Sequence, residues 1–354
     1  MLDLPILFPL IIAFFITVIT TYFLLPIISS LGLVDDPKIH KHPAILHNKI
    51  TPRGGGIPLF LGIFLTAFFF IPITKITISI FIASALALAI GILDDRSNAS
   101  GKDVSPYLRF SINILCAVII VGSGVTIPFI TNPLGGILQL DDPIFLWITI
   151  GDILSGIWIV WVMNMLNWSK GVDGQMPGIV AISAFVIGVL SLRFPYLDAT
   201  SLIDAKLSFI ITGAALGFLI FNYYPAKIFP GYGTTFMYLL LAVVSILSSA
   251  KLATAILVMG VPIIDALFTI ARRVLSGKSP FWHDKKHLHH LLLRLGYSQR
   301  QIALFYWSIS GIVGTIALTL QSKSKAFALL VLLVIVGGGL LFLHLIVLNE
   351  KDSA

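Results

Sequence analysis

The stretch Ile76-Thr77-Ile78-Ser79-Ile80-Phe81-Ile82-Ala83-Ser84-Ala85-Leu86-Ala87-Leu88-Ala89-Ile90-Gly91-Ile92-Leu93-Asp94-Asp95-Arg96 settles what kind of chain this is. From Ile76 to Leu93 no residue is charged, over about the length a helix needs to cross the hydrocarbon of a bilayer. The run then stops on two adjacent carboxylates. Acids at a helix C-terminus oppose the macrodipole, which disfavours a plain solvated helix end. Adjacent acids at a membrane boundary can hold a divalent cation, or one can act as a base while its neighbour stays ionised.

Working outward, the pattern repeats. The 354 residues are 57% hydrophobic and 11% charged, with a mean hydropathy of +1.00, well beyond an ordinary soluble domain. Apolar runs lie near 5–29, 56–73, 76–93, 108–130, 145–166, 177–192, 203–222, 234–250, 252–271, 301–320 and 326–348. The expected fold is all-α, a polytopic integral membrane protein with 10 to 11 transmembrane helices. With no repeat, low-complexity segment or linker, residues 1–354 read as a single domain. The first run opens at Leu4 without a basic leader or a small-residue cleavage site, and reads as a retained span. The single cysteine, Cys116, lies in an apolar run and excludes a disulfide framework.

The formal net charge is +7, but the basic residues are spread over short loops, which argues against a nucleic-acid partner. Seventeen of the 23 lysines and arginines fall in alternate loops, among them Arg53, Arg109, Lys170 and Arg272; the remainder are Lys75, Arg193, Lys206, Lys251, Lys323 and Lys325. The excess of positive charge marks the cytoplasmic side and puts the N-terminus outside. The loops rich in His, Asp and Asn fall on that same side, so one cytoplasmic-face active site built from five loops is expected.

Each loop carries polar groups with a blander reading beside the functional one. Arg53 precedes Gly54-Gly55-Gly56, where backbone amides can approach a phosphate closely; alone, a triglycine is a helix entry. Asn164, Asn167, Lys170 and Asp173 form a polar break between apolar helices, tolerated mainly where it lines a cavity. Asn222 ends another run. Asp265 lies within a span, where an acid is expensive; an ion pair with Arg272, two helical turns on, competes with a functional role. Arg272 and Arg273 lead into Ser279-Pro280-Phe281-Trp282-His283-Asp284-Lys285-Lys286-His287-Leu288-His289-His290. A basic loop alone would fix topology, but the cluster His287, His289 and His290 has no part in orientation, and phosphate binding suits it better than a single metal.

Taken together, Asp35-x-Pro37, Asp94-Asp95, Asn164-x-x-Asn167-x-x-x-Gly171-x-Asp173-Gly174, Asn222-x-x-Pro225-Ala226-x-x-Phe229-x-Gly231 and Ser279-Pro280-Phe281-x-x-Asp284-x-x-His287-Leu288-His289-His290 resemble the polyprenyl-phosphate N-acetylhexosamine-1-phosphate transferases of glycosyltransferase family 4, over about residues 5–320. The His-Leu-His-His form resembles the bacterial branch that moves GlcNAc-1-phosphate onto undecaprenyl phosphate more than the muramoyl-pentapeptide branch, which has three consecutive histidines. The resemblance implies transfer of a sugar phosphate from a UDP-sugar donor to a polyprenyl phosphate acceptor, releasing UMP, at the bacterial inner membrane, with Mg²⁺ on the donor diphosphate. In-line attack by the lipid phosphate, helped by an aspartate base, is the mechanism expected. Asp94, Asp95 and Asp173 are the expected catalytic and metal-binding residues. Arg53, Asn164, Asn167, Lys170, Asn222, Arg272, His287, His289 and His290 are the expected substrate-binding ones. A homodimer is one option that the sequence leaves open.

Two positions depart from the family pattern. Lys170 and Tyr232 stand where the pattern has aspartates, which weakens metal catalysis and raises the alternative of a catalytically impaired relative that binds nucleotide sugar or lipid phosphate. An ammonium at position 170 would partly replace the ion as a point charge beside the diphosphate.

Overall fold

A computed structural model describes residues 4–39, 46–47, 49–102, 104–132, 135–193, 199–247, 252–282 and 285–349. The chain folds into a helical bundle of α1 (Leu4–Ser30), α2 (Gly56–Phe70), α3 (Lys75–Ala99), α4 (Pro106–Val121), α5 (Ile150–Trp168), α6 (Gln175–Ser191), α7 (Ala199–Asn222), α8 (Thr235–Ile246), α9 (Leu252–Val258), α10 (Gly260–Leu275), α11 (Leu288–Arg294), α12 (Gln299–Thr319) and α13 (Ser322–Asn349). The short strands β1 (Val34–Asp35) and β2 (Thr51–Pro52) pair after α1, and β3 (Phe129–Thr131), β4 (Ile137–Gln139), β5 (Pro143–Phe145) and β6 (Ile148–Thr149) form two hairpins between α4 and α5.

Every apolar run of the sequence corresponds to a helix or helix pair. Six helices are long and apolar enough to cross a membrane, and α9 with α10 makes a seventh if the bent pair is one span; α2, α4, α6 and the segment Tyr232–Ile246 are shorter apolar helices. The protein is an all-α, multi-pass membrane protein.

α3 runs on past Leu93 to Ala99, so Asp94 and Asp95 lie inside a helix and not at its end; three other boundaries differ more sharply from the sequence reading. The run 108–130 leaves the helix at Val121, where Gly122, Ser123 and Gly124 make a turn leading into β3. The run 145–166 begins as a hairpin, and α5 starts at Ile150 behind the capping box of Thr149 and Asp152. The run 252–271 is bent by 76° between α9 and α10. Pro262 has no N–H to continue the hydrogen bonding of α9, and is tolerated in the first turn of a new helix.

All twelve residues of α8 are buried, packed among α3, α5, α6 and α7. A helix apolar all round belongs at the centre. The outer helices do the reverse: Phe15, Phe23, Phe68, Val118, Phe327 and Val334 are exposed, which suits a surface solvated by lipid and not by water. Between these layers the polar residues collect at one end of the bundle, where α3, α5, α7 and α10 finish and α4, α6 and α12 begin.

Candidate active site

At that end lies a cavity of about 580 Å³, within the range of sites that enclose a small molecule. Its lining includes Arg53, Asn164, Asn167, Lys170, Asp173, Asn222, His287, His289 and His290. Of the twelve site residues expected from sequence, these nine line this one cavity. Asp94, Asp95 and Arg272 are not in the lining; Arg109 and Arg273 are.

The two adjacent acids stand behind the wall. Asp94 and Asp95 are 0% and 1% exposed, and each is covered by an arginine. Arg109 Nη1 donates to both oxygens of Asp94, at 3.2 and 3.4 Å, and Asn98 Nδ2 donates to Oδ2. Arg53 Nε donates to Asp95 Oδ1 (3.1 Å), while the backbone N–H groups of Tyr232 and Gly233 donate to Oδ1 and Oδ2. This closeness needs Gly231, whose φ is +67° and whose Cβ, were there one, would stand 2.2 Å from Asp95 Oδ2. Pairing of Asp35 with Thr51 across β1 and β2 brings the Arg53 guanidinium to Asp35 Oδ2, at 2.7 Å. Burial works against the Arg53 charge, but Asp95 and Asp35 outweigh it and its pKa is raised.

Lys170 follows the last turn of α5. Its ammonium donates to Asn167 Oδ1 (2.8 Å) and to the carbonyl of Gly231 (2.7 Å). Burial lowers its pKa, Arg53 pushes the same way, and the carboxylates of Asp95 and Asp94 only partly restore it, leaving it at about 7. The Tyr232 ring lies close to two cations, its centroid 5.1 Å from Arg109 Cζ and 5.6 Å from Lys170 Nζ. The two departures from the family pattern are therefore neighbours in space.

The remaining predicted residues hold the loops together. Asn222 accepts from the Gly174 N–H and donates to the Ile228 carbonyl, joining the end of α7 to the start of α6. Asp173 Oδ2 accepts from the Ala226 N–H (2.9 Å), and burial raises its pKa against the pull of that N–H and of His47. Asn167 ties α5 to Thr235, and Asn164 turns back on the Val160 carbonyl.

The histidines are set by an acid from another helix. Asp265, in α10, accepts from the Leu288 N–H at the start of α11 and meets His287 Nδ1 at 2.9 Å. Arg273 Nη2 reaches the other ring nitrogen at 3.5 Å. His289 stacks in parallel on His287 at 5.7 Å and fits only because position 171 is glycine: a Cβ there would be 1.9 Å from its Nε2. Burial lowers the pKa of His289 well below its ordinary value and that of His290 to about 4, with His287 adding to both. Both are neutral at pH 7, so the cationic grip falls to the arginines, and to Lys170 in its protonated form. His283 and Asp284 lie outside the described residues.

Arg109, Arg273, Asp35 and His47 line the cavity without having been assigned to it from sequence. For Arg273 a signal was present: Asp265, Thr269 and Arg273 recur every four residues and share a face, and all three meet His287. Arg272 is one position off that face.

The donor set does not fit the expected Mg²⁺. Mg²⁺ requires carboxylates or other oxygens free to point at it in near-octahedral geometry. All four oxygens of Asp94 and Asp95 accept hydrogen bonds from the protein, Asp173 stands apart from them, and among the described residues no group of three or more His, Cys, Asp or Glu could hold a metal ion.

These features define a multi-pass membrane protein with a basic cavity at one end of its helix bundle, lined by neutral imidazoles and backed by buried acids. Residues 77–249 match the model of glycosyl transferase family 4. The chain is 29% identical to the probable undecaprenyl-phosphate N-acetylglucosaminyl 1-phosphate transferase of Bacillus subtilis (strain 168), over 97% of this chain and 94% of that protein. It is 31% identical to the decaprenyl-phosphate N-acetylglucosaminephosphotransferase of Mycobacterium tuberculosis (strain ATCC 25618 / H37Rv), over 80% and 75%. Against the undecaprenyl-phosphate alpha-N-acetylglucosaminyl 1-phosphate transferase of Escherichia coli (strain K12) the figures are 28%, 81% and 76%. The chain belongs to glycosyl transferase family 4.

Proposed function

We propose that this protein transfers a HexNAc-1-phosphate, GlcNAc-1-phosphate first among them, from a UDP-sugar to undecaprenyl or another polyprenyl phosphate, at the cytoplasmic face of the bacterial inner membrane, as the first membrane step of a cell-envelope polysaccharide. The observation that carries the reading is the cavity where Arg53, Arg109, Lys170 and Arg273 meet the aromatic edge of Phe281 and Trp282. It offers positive charge to phosphates and an apolar margin to a lipid. The bias of lysine and arginine supports the cytoplasmic side, and the names of the relatives support donor and acceptor.

In the reaction, an oxygen of the lipid phosphate attacks the β-phosphorus of the donor. The new P–O bond joins lipid phosphate to sugar phosphate; the bond from the β-phosphorus to the bridging oxygen breaks, and UMP leaves with the electron pair. A phosphate monoester has a second pKa of about 6 and is mostly dianionic at pH 7, so the attack needs no aspartate base. Arg53 and Arg109 are held rigid by Asp95 and Asp94, which orients their charge before substrate arrives. Asn167 and the Gly231 carbonyl do the same for Lys170.

A second reading, a binder of nucleotide sugar or lipid phosphate without turnover, draws on one observation: every oxygen of Asp94 and Asp95 already accepts a hydrogen bond from the protein. Purified full-length protein given UDP-GlcNAc or UDP-GalNAc with undecaprenyl phosphate separates the two. A lipid-linked sugar diphosphate from at least one donor is the expected result. No product from either, with turnover appearing in the double variant Lys170→Asp, Tyr232→Asp, would establish the binder instead.

A further inference from the structure

We infer that the cavity holds the diphosphate of a nucleotide sugar without a divalent cation, the Lys170 ammonium standing with Arg53 and Arg109 as its counter-charge. The inference rests on the donor proposed above and goes beyond it, because it assigns the charge that such a diphosphate needs to the chain itself.

Three observations carry it. The first is where Lys170 sits. Its Nζ is bonded to two neutral oxygens, the Gly231 carbonyl and Asn167 Oδ1, the kind of oxygens that a hard cation would collect. An ammonium has three donors, and two are used, leaving the third N–H for a ligand in a cavity that Lys170 lines. The second is the position of Tyr232. Its ring centroid lies 5.6 Å from the Lys170 ammonium and 5.1 Å from the Arg109 guanidinium, so the aromatic face attracts both cations. The third is the state of the acids. Asp94 and Asp95 are tied to Arg109 and Arg53 and to the amides of Tyr232 and Gly233. A Mg²⁺ ion drawn to either carboxylate would compete with the arginines and amides already bound to it, and would then lie beside those cations. Repulsion and lost hydrogen bonds both oppose it. An anionic diphosphate is drawn to the cations that line the cavity, with Asp94 and Asp95 buried behind them.

The test measures binding, not turnover. Full-length protein in detergent is titrated with UDP-GlcNAc by calorimetry, once in EDTA and once in millimolar Mg²⁺. Separately, Mn²⁺ is titrated into the protein alone and followed by electron paramagnetic resonance. The expected result is an affinity for UDP-GlcNAc that agrees within about twofold in the two buffers, with no Mn²⁺ retained by the protein. Lys170→Met should weaken binding at least tenfold in both buffers, and adding Mg²⁺ should not recover it. Loss of binding in EDTA by tenfold or more, or stoichiometric Mn²⁺ on the unmodified protein, would overturn the inference and leave the donor assignment standing. No binding in either buffer would remove the donor assignment and this inference with it. The comparison of buffers uses the unmodified chain, so it decides the matter even where the variant fails to fold.

Discussion

At Asp265 one carboxylate serves two parts of the chain at once. One oxygen takes the N–H that opens α11 and the other takes the His287 ring, at a site 2% exposed. Asp265→Asn keeps an acceptor but loses the charge and one of the two bonds. The loss of such a buried charge-assisted bond costs about 1–3 kcal/mol, read as a lower melting temperature in detergent. Turnover should fall with it, because His287 is no longer held against Arg273. His289 and His290 give a second prediction. Their pKa values are lowered in the folded protein, so as pH falls through about 6.5 the unfolded chain takes up protons that the folded chain refuses. Stability is then complete above about pH 6.5 and declines toward pH 4, where His290 itself begins to titrate. For His290 alone the loss approaches about 3 kcal/mol, and His290→Gln should flatten part of the slope in a series of melting curves against pH.

Between elements, buried acids act as anchors for the amides of a neighbour. Asp95 of α3 holds the N–H groups that lead into α8, Asp265 of α10 holds α11, and Asp173 holds the loop after α7. A carboxylate at the start of a helix stabilises its exposed amides and dipole. Asp95→Asn should therefore destabilise the fold by about 1–3 kcal/mol and open the 231–235 turn to proteolysis, whether or not a metal is supplied. This pairing is what the sequence hides. An acid awaiting a metal and an acid bound to backbone amides read alike, because the partner of Asp95 lies 137 residues away in the chain. The positions of the acids were legible; what they bond to was not. Arg272 and Arg273 teach a milder lesson, since helical spacing from Asp265 distinguishes them once α10 is known to start at Gly260.

For the whole molecule, the sequence pattern was sufficient to place all eleven apolar segments, because burial in lipid demands length and apolarity and little else. It was insufficient at the break near Met259 and at the hairpins of 129–149, where apolar residues such as Phe145 in β5 and Trp147 in the turn that follows are exposed and hydropathy alone reads them as helix. Orientation offers a check at this scale. Cys116 is buried, so a chain carrying Cys116→Ala gives a clean background for new cysteines. Gln139→Cys, in the hairpin end, should react with an impermeant maleimide on intact cells, and Ser100→Cys, at the cavity end, only after permeabilisation. The reverse pattern would put the cavity outside the cell. The central claim is that this cavity moves a phosphosugar as a unit, and the fate of the β-phosphorus tests it most directly. With UDP-GlcNAc labelled in the β-phosphate and undecaprenyl phosphate in micelles, the account predicts that the label passes to the lipid phase while unlabelled UMP stays in water; label remaining wholly in the aqueous nucleotide, at every protein concentration, contradicts it.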